Sequence, residues 1–171
     1  MNAVSAYQQI EPATWTGEPP EPFAAPTYYQ GVLSRRVFAY WIDLICIGLL
    51  IVLAWIGFWM LAIVSFGLLS PLLLILGLIP VLYHTLTIGG PGSATPGMRV
   101  TGVEVRSWTG ERPSYLQAFV QTILFYVTVY PTWSLVLLVA LFNERRRTLH
   151  DILAGTLVIR QFPEAGVLAA R

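Results

Sequence analysis

The sequence has no lysine, one cysteine, two histidines and little charge of either sign, and each shortage removes a class of function. All ten basic residues are arginine, nine residues are acidic, and a net charge of +1 argues against nucleic acid as a partner. Cys46 has no second cysteine to pair with inside the chain, and in its apolar run it reads as a small packed thiol. His84 and His150 are far apart, and no Cys, His and carboxylate spacing suggests a metal or other cofactor. No Ser, Thr or Cys nucleophile stands at a recognisable spacing from a base, so no catalytic residue and no enzyme are expected. "GGPGSATPGMRV" lacks the lysine and hydroxyl residue of a phosphate-binding loop and reads as a turn-forming connector.

What is abundant is hydrocarbon. The chain is 56% hydrophobic and only 11% charged, with a mean hydropathy of +0.65, values that belong to an integral membrane protein. The first thirty residues show neither a basic start nor an apolar stretch and so do not read as a signal peptide. Pro12, Pro19, Pro20, Pro22 and Pro26, with three glutamates, give residues 1–32 the composition of a disordered cytoplasmic tail. Its aromatics, among them Tyr7, Trp15, Phe23, Tyr28 and Tyr29, are spacers or docking points. Residues 33–161 form the membrane domain, and 162–171 a C-terminal tail.

From Val37 to Ile88 the chain holds enough apolar residues for two spans of about 20 residues each. A break at "SFGLLSP" places helices near 37–63 and 68–88, with Pro71 in the first turn of the second. Arg35 and Arg36 precede this pair and Arg99, Arg106 and Arg112 follow it. The excess of positive charge therefore puts both flanks, and the N-terminus, in the cytoplasm. A third apolar segment, 115–142, contains Pro131. As one crossing it would leave Arg145, Arg146 and Arg147 on the wrong side, so a short, tilted or re-entrant hairpin turning at "YPTW" is the better reading.

A small cytoplasmic β pairing supports that choice. "MRVTGVEVRSW", with a bulge at Gly102, and "GTLVIRQ" both read as strands, and they meet only if the chain crosses an even number of times between them. The expected fold is thus an all-α membrane protein, a helical hairpin plus a shorter second one, with one strand pair. "TLHDILAG" reads as a short interfacial helix: Thr148 is a good N-cap, Asp151 completes a capping box, and Gly155 stops it. The arginines at 145–147 then lie against anionic lipid headgroups.

Asp43 is the sharpest polar feature. A carboxylate inside a span costs about 2.5–3.5 kcal/mol on insertion scales, so it needs a partner. Counted along two antiparallel helices, Asp43 and His84 lie at matching depth, ~9 Å and ~6 Å from the same end. They are candidates for a proton or cation site, or for a pair that fixes helix register. Arg36 is seven residues earlier on the same face, ~10 Å away, and better placed for phosphate or for Asp151.

Together, "RRVFAYWID", "TPGMRVTGVEV" and "RRRTLHDILAGTLVIR" resemble the RDD family of bacterial membrane proteins, over about 33–161. The resemblance maps the family's arginine to Arg36 and its two aspartates to Asp43 and Asp151. Many members carry an arginine where this chain has Gln121. The proline-rich tail resembles that of actinobacterial members. The resemblance implies a multi-pass protein of the bacterial plasma membrane. It also implies either an accessory or assembly subunit, as in the respiratory bcc and aa3 supercomplex, or a cation/proton antiporter or small-ligand transporter using Asp43. A lone intramembrane aspartate, short helices and no internal repeat favour the accessory role, in a larger membrane complex or a homo-oligomer.

Overall fold

The computed structural model describes Trp15 and residues 17–129, 131, 132 and 138–161. A 3-10 turn at Pro26–Tyr28 leads into α1, Val32–Val64. A 3-10 helix, Ser70–Leu78, continues directly into α2, Ile79–Ile88. Then follow α3, Pro96–Thr101, and β1, Val103–Ser107. The last described elements are α4, Tyr115–Val129, α5, Val139–Phe142, α6, Leu149–Leu153, and β2, Thr156–Arg160.

Among the described residues two helices are long and apolar enough to cross a membrane, Pro26–Val64 and Ser70–Ile88. The turn between them comes where expected, with Phe66 and Gly67 both at positive φ. The second helix is not uniform as the sequence suggested. Pro80 has no N–H to carry an α ladder back to Leu76, and the nine residues before α2 wind as a 3-10 helix that starts at Ser70, with Pro71 in its first turn. Beyond Asp43, α1 is apolar around its whole circumference. Phe38, Trp41, Ile45, Leu49, Leu53, Trp55 and Met60 are all exposed, as a helix in lipid would have them.

α4 is 15 residues long, about 22 Å, too short for a ~30 Å hydrocarbon core. It packs on α2 and α6. Most of the expected turn at "YPTW" and the start of the return arm, residues 130 and 133–137, lie outside the described residues, as do 1–14, 16 and 162–171.

The strand pair forms in antiparallel register, from Val103 opposite Arg160 to Ser107 opposite Thr156. The expected strand start and bulge do not. Thr95 caps Met98 N–H at 3.1 Å, Pro96 stands in the first turn and Gly102 ends the helix at φ +69°, so 96–101 is α3. This also makes a helix of the second half of the connector. The signal that was outweighed is the β-branched content of the stretch, a weaker preference than a capped start and a left-handed stop.

An isolated two-stranded ribbon is marginal, and here both faces are covered. Val103, Val105 and Val158 pack on Val32, Ile88 and Ala118 of the helices. Leu157 and Ile159, on the opposite face, are completely buried under Tyr29, with Trp15 and Tyr28 against them. Each such side chain contributes about 1.5–3 kcal/mol by leaving water. Within the stretch expected to be disordered through residue 32, Trp15, Tyr28 and Tyr29 pack on β2. Trp15 Nε1 donates to Trp108 O at 2.9 Å, and Tyr29 Oη to Pro20 O at 2.7 Å. Composition alone missed this because the apolar surface these aromatics cover lies far away in sequence.

Candidate functional site

α1 carries two polar residues on one face, Arg36 and Asp43, and each is the centre of a separate node. Asp43 is buried and accepts three hydrogen bonds: from Tyr83 Oη at 2.7 Å, Thr95 Oγ1 at 2.5 Å and Gly97 N at 2.9 Å. One carboxylate thus ties α1 to α2 and to the start of α3, and the three donors replace the water it has lost. No cation pairs with it among the described residues. α3 can come this close because position 97 has no side chain: a Cβ there would lie 2.3 Å from Ala39 O.

The expected Asp43–His84 pair is not formed. The depth match was right to within one residue, but Tyr83 faces α1, while His84 Nδ1 donates to Pro80 O at 2.9 Å within its own helix. Neighbouring helical residues point about 100° apart, and in an apolar helix nothing in the sequence fixes that rotation. Tyr83, Thr95 and Gly97 were missed as site residues. A Thr-Pro helix start was the one available clue, for Thr95.

The second node is Asp151, which is fully buried. Arg36 Nη1 donates to Oδ2 at 2.5 Å, as the alternative reading of Arg36 expected. Thr148 N donates at 3.0 Å, the carboxylate half of the capping box, Thr148 Oγ1 donates at 2.7 Å, and Gln121 Nε2 donates to Oδ1 at 3.0 Å. Gln121, where the resemblance led us to look for an arginine, makes this contact as a neutral amide. Burial alone would raise the Asp151 pKa; the adjacent Arg36 charge, His150 and the hydrogen bonds outweigh it and hold the carboxyl well below the usual range.

The three arginines expected at lipid headgroups divide. Arg147 is committed inside the chain: Nε donates to Thr156 O at 2.8 Å, Nη2 to Asp151 O at 3.0 Å, and the guanidinium lies 4.6 Å from the Trp108 ring centre. Arg145 lies 5.4 Å from the same ring. Arg146 is the exposed member, and its Nη1 donates to Leu141 O at 3.2 Å. Arg145 and Arg147 thus gather on Trp108 beside the sheet, and Arg146 is the one turned outward.

Two cavities adjoin the nodes. A groove of about 620 Å³ runs between α1, α2 and α4, and a chamber of about 90 Å³ lies between Arg36, Gln121 and His150. Asp43, His84, Tyr40 and Phe125 line both.

His150 gives the second node a pH dependence. Burial lowers its pKa from 6.5 to about 4, with Asp151 opposing and Arg36 assisting. Between those values the unfolded chain binds a proton that the folded chain refuses. Stability is therefore complete above pH 6.5 and falls by about 3 kcal/mol as pH drops to 4. His150→Gln flattens that slope in denaturation measured across pH 4–7, and an unchanged slope would assign the effect to another group.

Comparison with curated proteins and with solved structures returns no match. A family model, that of the RDD family, matches residues 31–155, the stretch that holds Arg36, Asp43 and Asp151 and the side-chain donors to both carboxylates. With its two nodes inside that stretch, this chain belongs to the RDD family, whose domain is a membrane domain.

Proposed function

We propose that this membrane domain is non-catalytic and acts as an accessory or assembly subunit of a larger membrane complex. In this reading it is multi-pass in a bacterial plasma membrane, its arginine-rich end and N-terminus are cytoplasmic, and anionic lipids surround that end. An actinobacterial bcc–aa3 respiratory assembly is the specific complex to test first. The observation that carries the reading is a division along α1. The charged groups at one end are satisfied within the chain, whereas only 6% of the most apolar stretch of each long helix is buried. Such helices offer faces to lipid and protein, and a carboxylate with three fixed donors suits holding a bundle together better than exchanging an ion.

The test is a mild-detergent pull-down of the tagged native protein with mass spectrometry of what accompanies it. Stoichiometric recovery of a large membrane complex is expected; recovery of the protein alone, or only with itself, would sink the reading. Asp43→Asn is expected to lower abundance and complex yield together, with no separate transport defect. A second reading, cation/proton antiport at Asp43, draws on the fact that Asp43 and His84 line one groove. It expects the opposite result for Asp43→Asn: intact assembly and lost ion flux in liposomes.

A further inference from the structure

We propose that the tip of the hairpin that follows α1, residues 64–70, is a lipid-contact surface: it ends within the far leaflet of the bilayer, among acyl chains, and does not emerge into water. This goes beyond the accessory reading and does not depend on it. It also limits where a partner can meet this hairpin, to the membrane itself or to the arginine-rich end. The backbone carries the argument first. A chain that turns in hydrocarbon must satisfy its own N–H groups, because no water is there to do so. Here every N–H from Ser65 to Leu72 is bonded inside the hairpin. Ser65 N donates to Leu61 O at 3.0 Å, Phe66 N to Ile63 O at 3.1 Å, Gly67 N to Ala62 O at 2.7 Å and Leu68 N to Ser65 O at 3.1 Å. Leu69 N donates to Ser65 Oγ at 3.2 Å, and that hydroxyl donates onward to Ala62 O at 3.2 Å. Ser70 N donates to Gly67 O and Leu72 N to Leu69 O, both at 3.1 Å, and Pro71 has no N–H to satisfy. Loops in water leave part of this work to solvent.

The side chains select lipid over a protein partner. Ile63, Val64, Phe66, Leu68 and Leu74 are between 72% and 101% exposed. Ile63 and Val64, adjacent on a helix, point about 100° apart, so the exposure surrounds the tip instead of marking one face. A protein docks on one face; a surface that is apolar on all sides suits a fluid apolar solvent. Nothing in the turn invites water or headgroup charge, for no Asp, Glu, Lys or Arg occurs from Leu44 to Met98. The reach agrees. Val64 lies 21 residues beyond Asp43, about 32 Å along the helix, against a hydrocarbon core of ~30 Å. A tilt of about 20° brings the two lengths together. With Asp43 at the near boundary, the tip arrives at the far one with nothing to spare. Among the described residues the Ser70 hydroxyl is the one side-chain polar group of the turn without a hydrogen bond, and it stands where the hydrocarbon gives way to headgroups.

The test is spin labelling of the full chain in phosphatidylcholine liposomes. In a Cys46→Ala background, a nitroxide is attached to Phe66→Cys and, as the aqueous reference, to Glu111→Cys on the exposed turn after β1. Power saturation then measures collision with oxygen, which concentrates in hydrocarbon, and with nickel ethylenediaminediacetate, which stays in water. The label at position 66 is expected to collide freely with oxygen and about tenfold less with the nickel complex than the label at 111, a small part of the penalty for taking a polar solute out of water. Leu68→Cys replaces Phe66→Cys if that variant does not fold. A nickel collision rate equal to that at 111 means that the tip stands in water and overturns the proposal. Low collision with both reagents overturns it as well, because a second copy of the chain, and not lipid, then covers the tip.

Discussion

Asp151→Ala is expected to destabilise the protein by about 3–5 kcal/mol, the largest effect of any single polar substitution here. Its carboxylate receives donors from three elements, Arg36 on α1, Gln121 on α4 and the Thr148 cap of α6. Truncation leaves a guanidinium that is only 13% exposed with no counter-charge, and it opens the capping box as well. Asp151→Asn should be milder, about half as damaging. Its oxygen can face Arg36, and its NH₂ can face Gln121, whose unused Oε1 becomes an acceptor once the amide turns. The pairing itself is isolated by a double-mutant cycle. Arg36→Leu with Asp151→Ala should cost clearly less than the sum of the two, because the second change removes a charge the first has stranded. SDS-titrated unfolding in mixed micelles reads all four proteins, and strict additivity would mean that Arg36 and Asp151 do not act as a unit.

This node was also the more legible one in the sequence, for a physical reason. A capping box is local chemistry: Thr148 and Asp151 are three residues apart, and their hydrogen bonds are fixed as soon as a helix starts. Asp151 was one of two partners its place on α1 suggested for Arg36, the other being phosphate, and the structure shows the carboxylate. Asp43 announced itself as a charge in an apolar run, but its donors did not. Tyr83 instead of His84 depends on the rotation of an almost uniformly apolar helix. Thr95 and Gly97 belong to a helix hidden under a β-branched composition. Long-range burial was the least legible of all. Trp15 and Tyr29 lie in a proline-rich stretch, and only the far face of β2, some 130 residues away, gives them something to cover.

The Asp43 node yields the second large effect through a residue with no side chain. Gly97→Ala adds one methyl group, yet that methyl would sit 2.3 Å from Ala39 O and 2.9 Å from the Asp43 carboxyl carbon. Ala39 O is backbone of a long helix and cannot yield as the end of a flexible side chain would. α3 must move instead, and the 2.9 Å bond from Gly97 N–H to Asp43 lengthens or breaks. Overpacking costs about 1–3 kcal/mol, and a hydrogen bond to a charged group contributes about 1.5–3, so a loss of about 3 kcal/mol is expected. Other glycines supply the scale against which to read it. Gly102→Ala, at φ +69° where a Cβ is strained, should lose about 1 kcal/mol. Gly48→Ala and Gly57→Ala, in α1 with nothing within 4 Å of the added atom, should be neutral or slightly stabilising. The order of the four in the same unfolding titration is the decisive quantity. If Gly97→Ala ranks with Gly48→Ala, α3 does not press on α1, and Asp43 holds the bundle less tightly than its three hydrogen bonds imply.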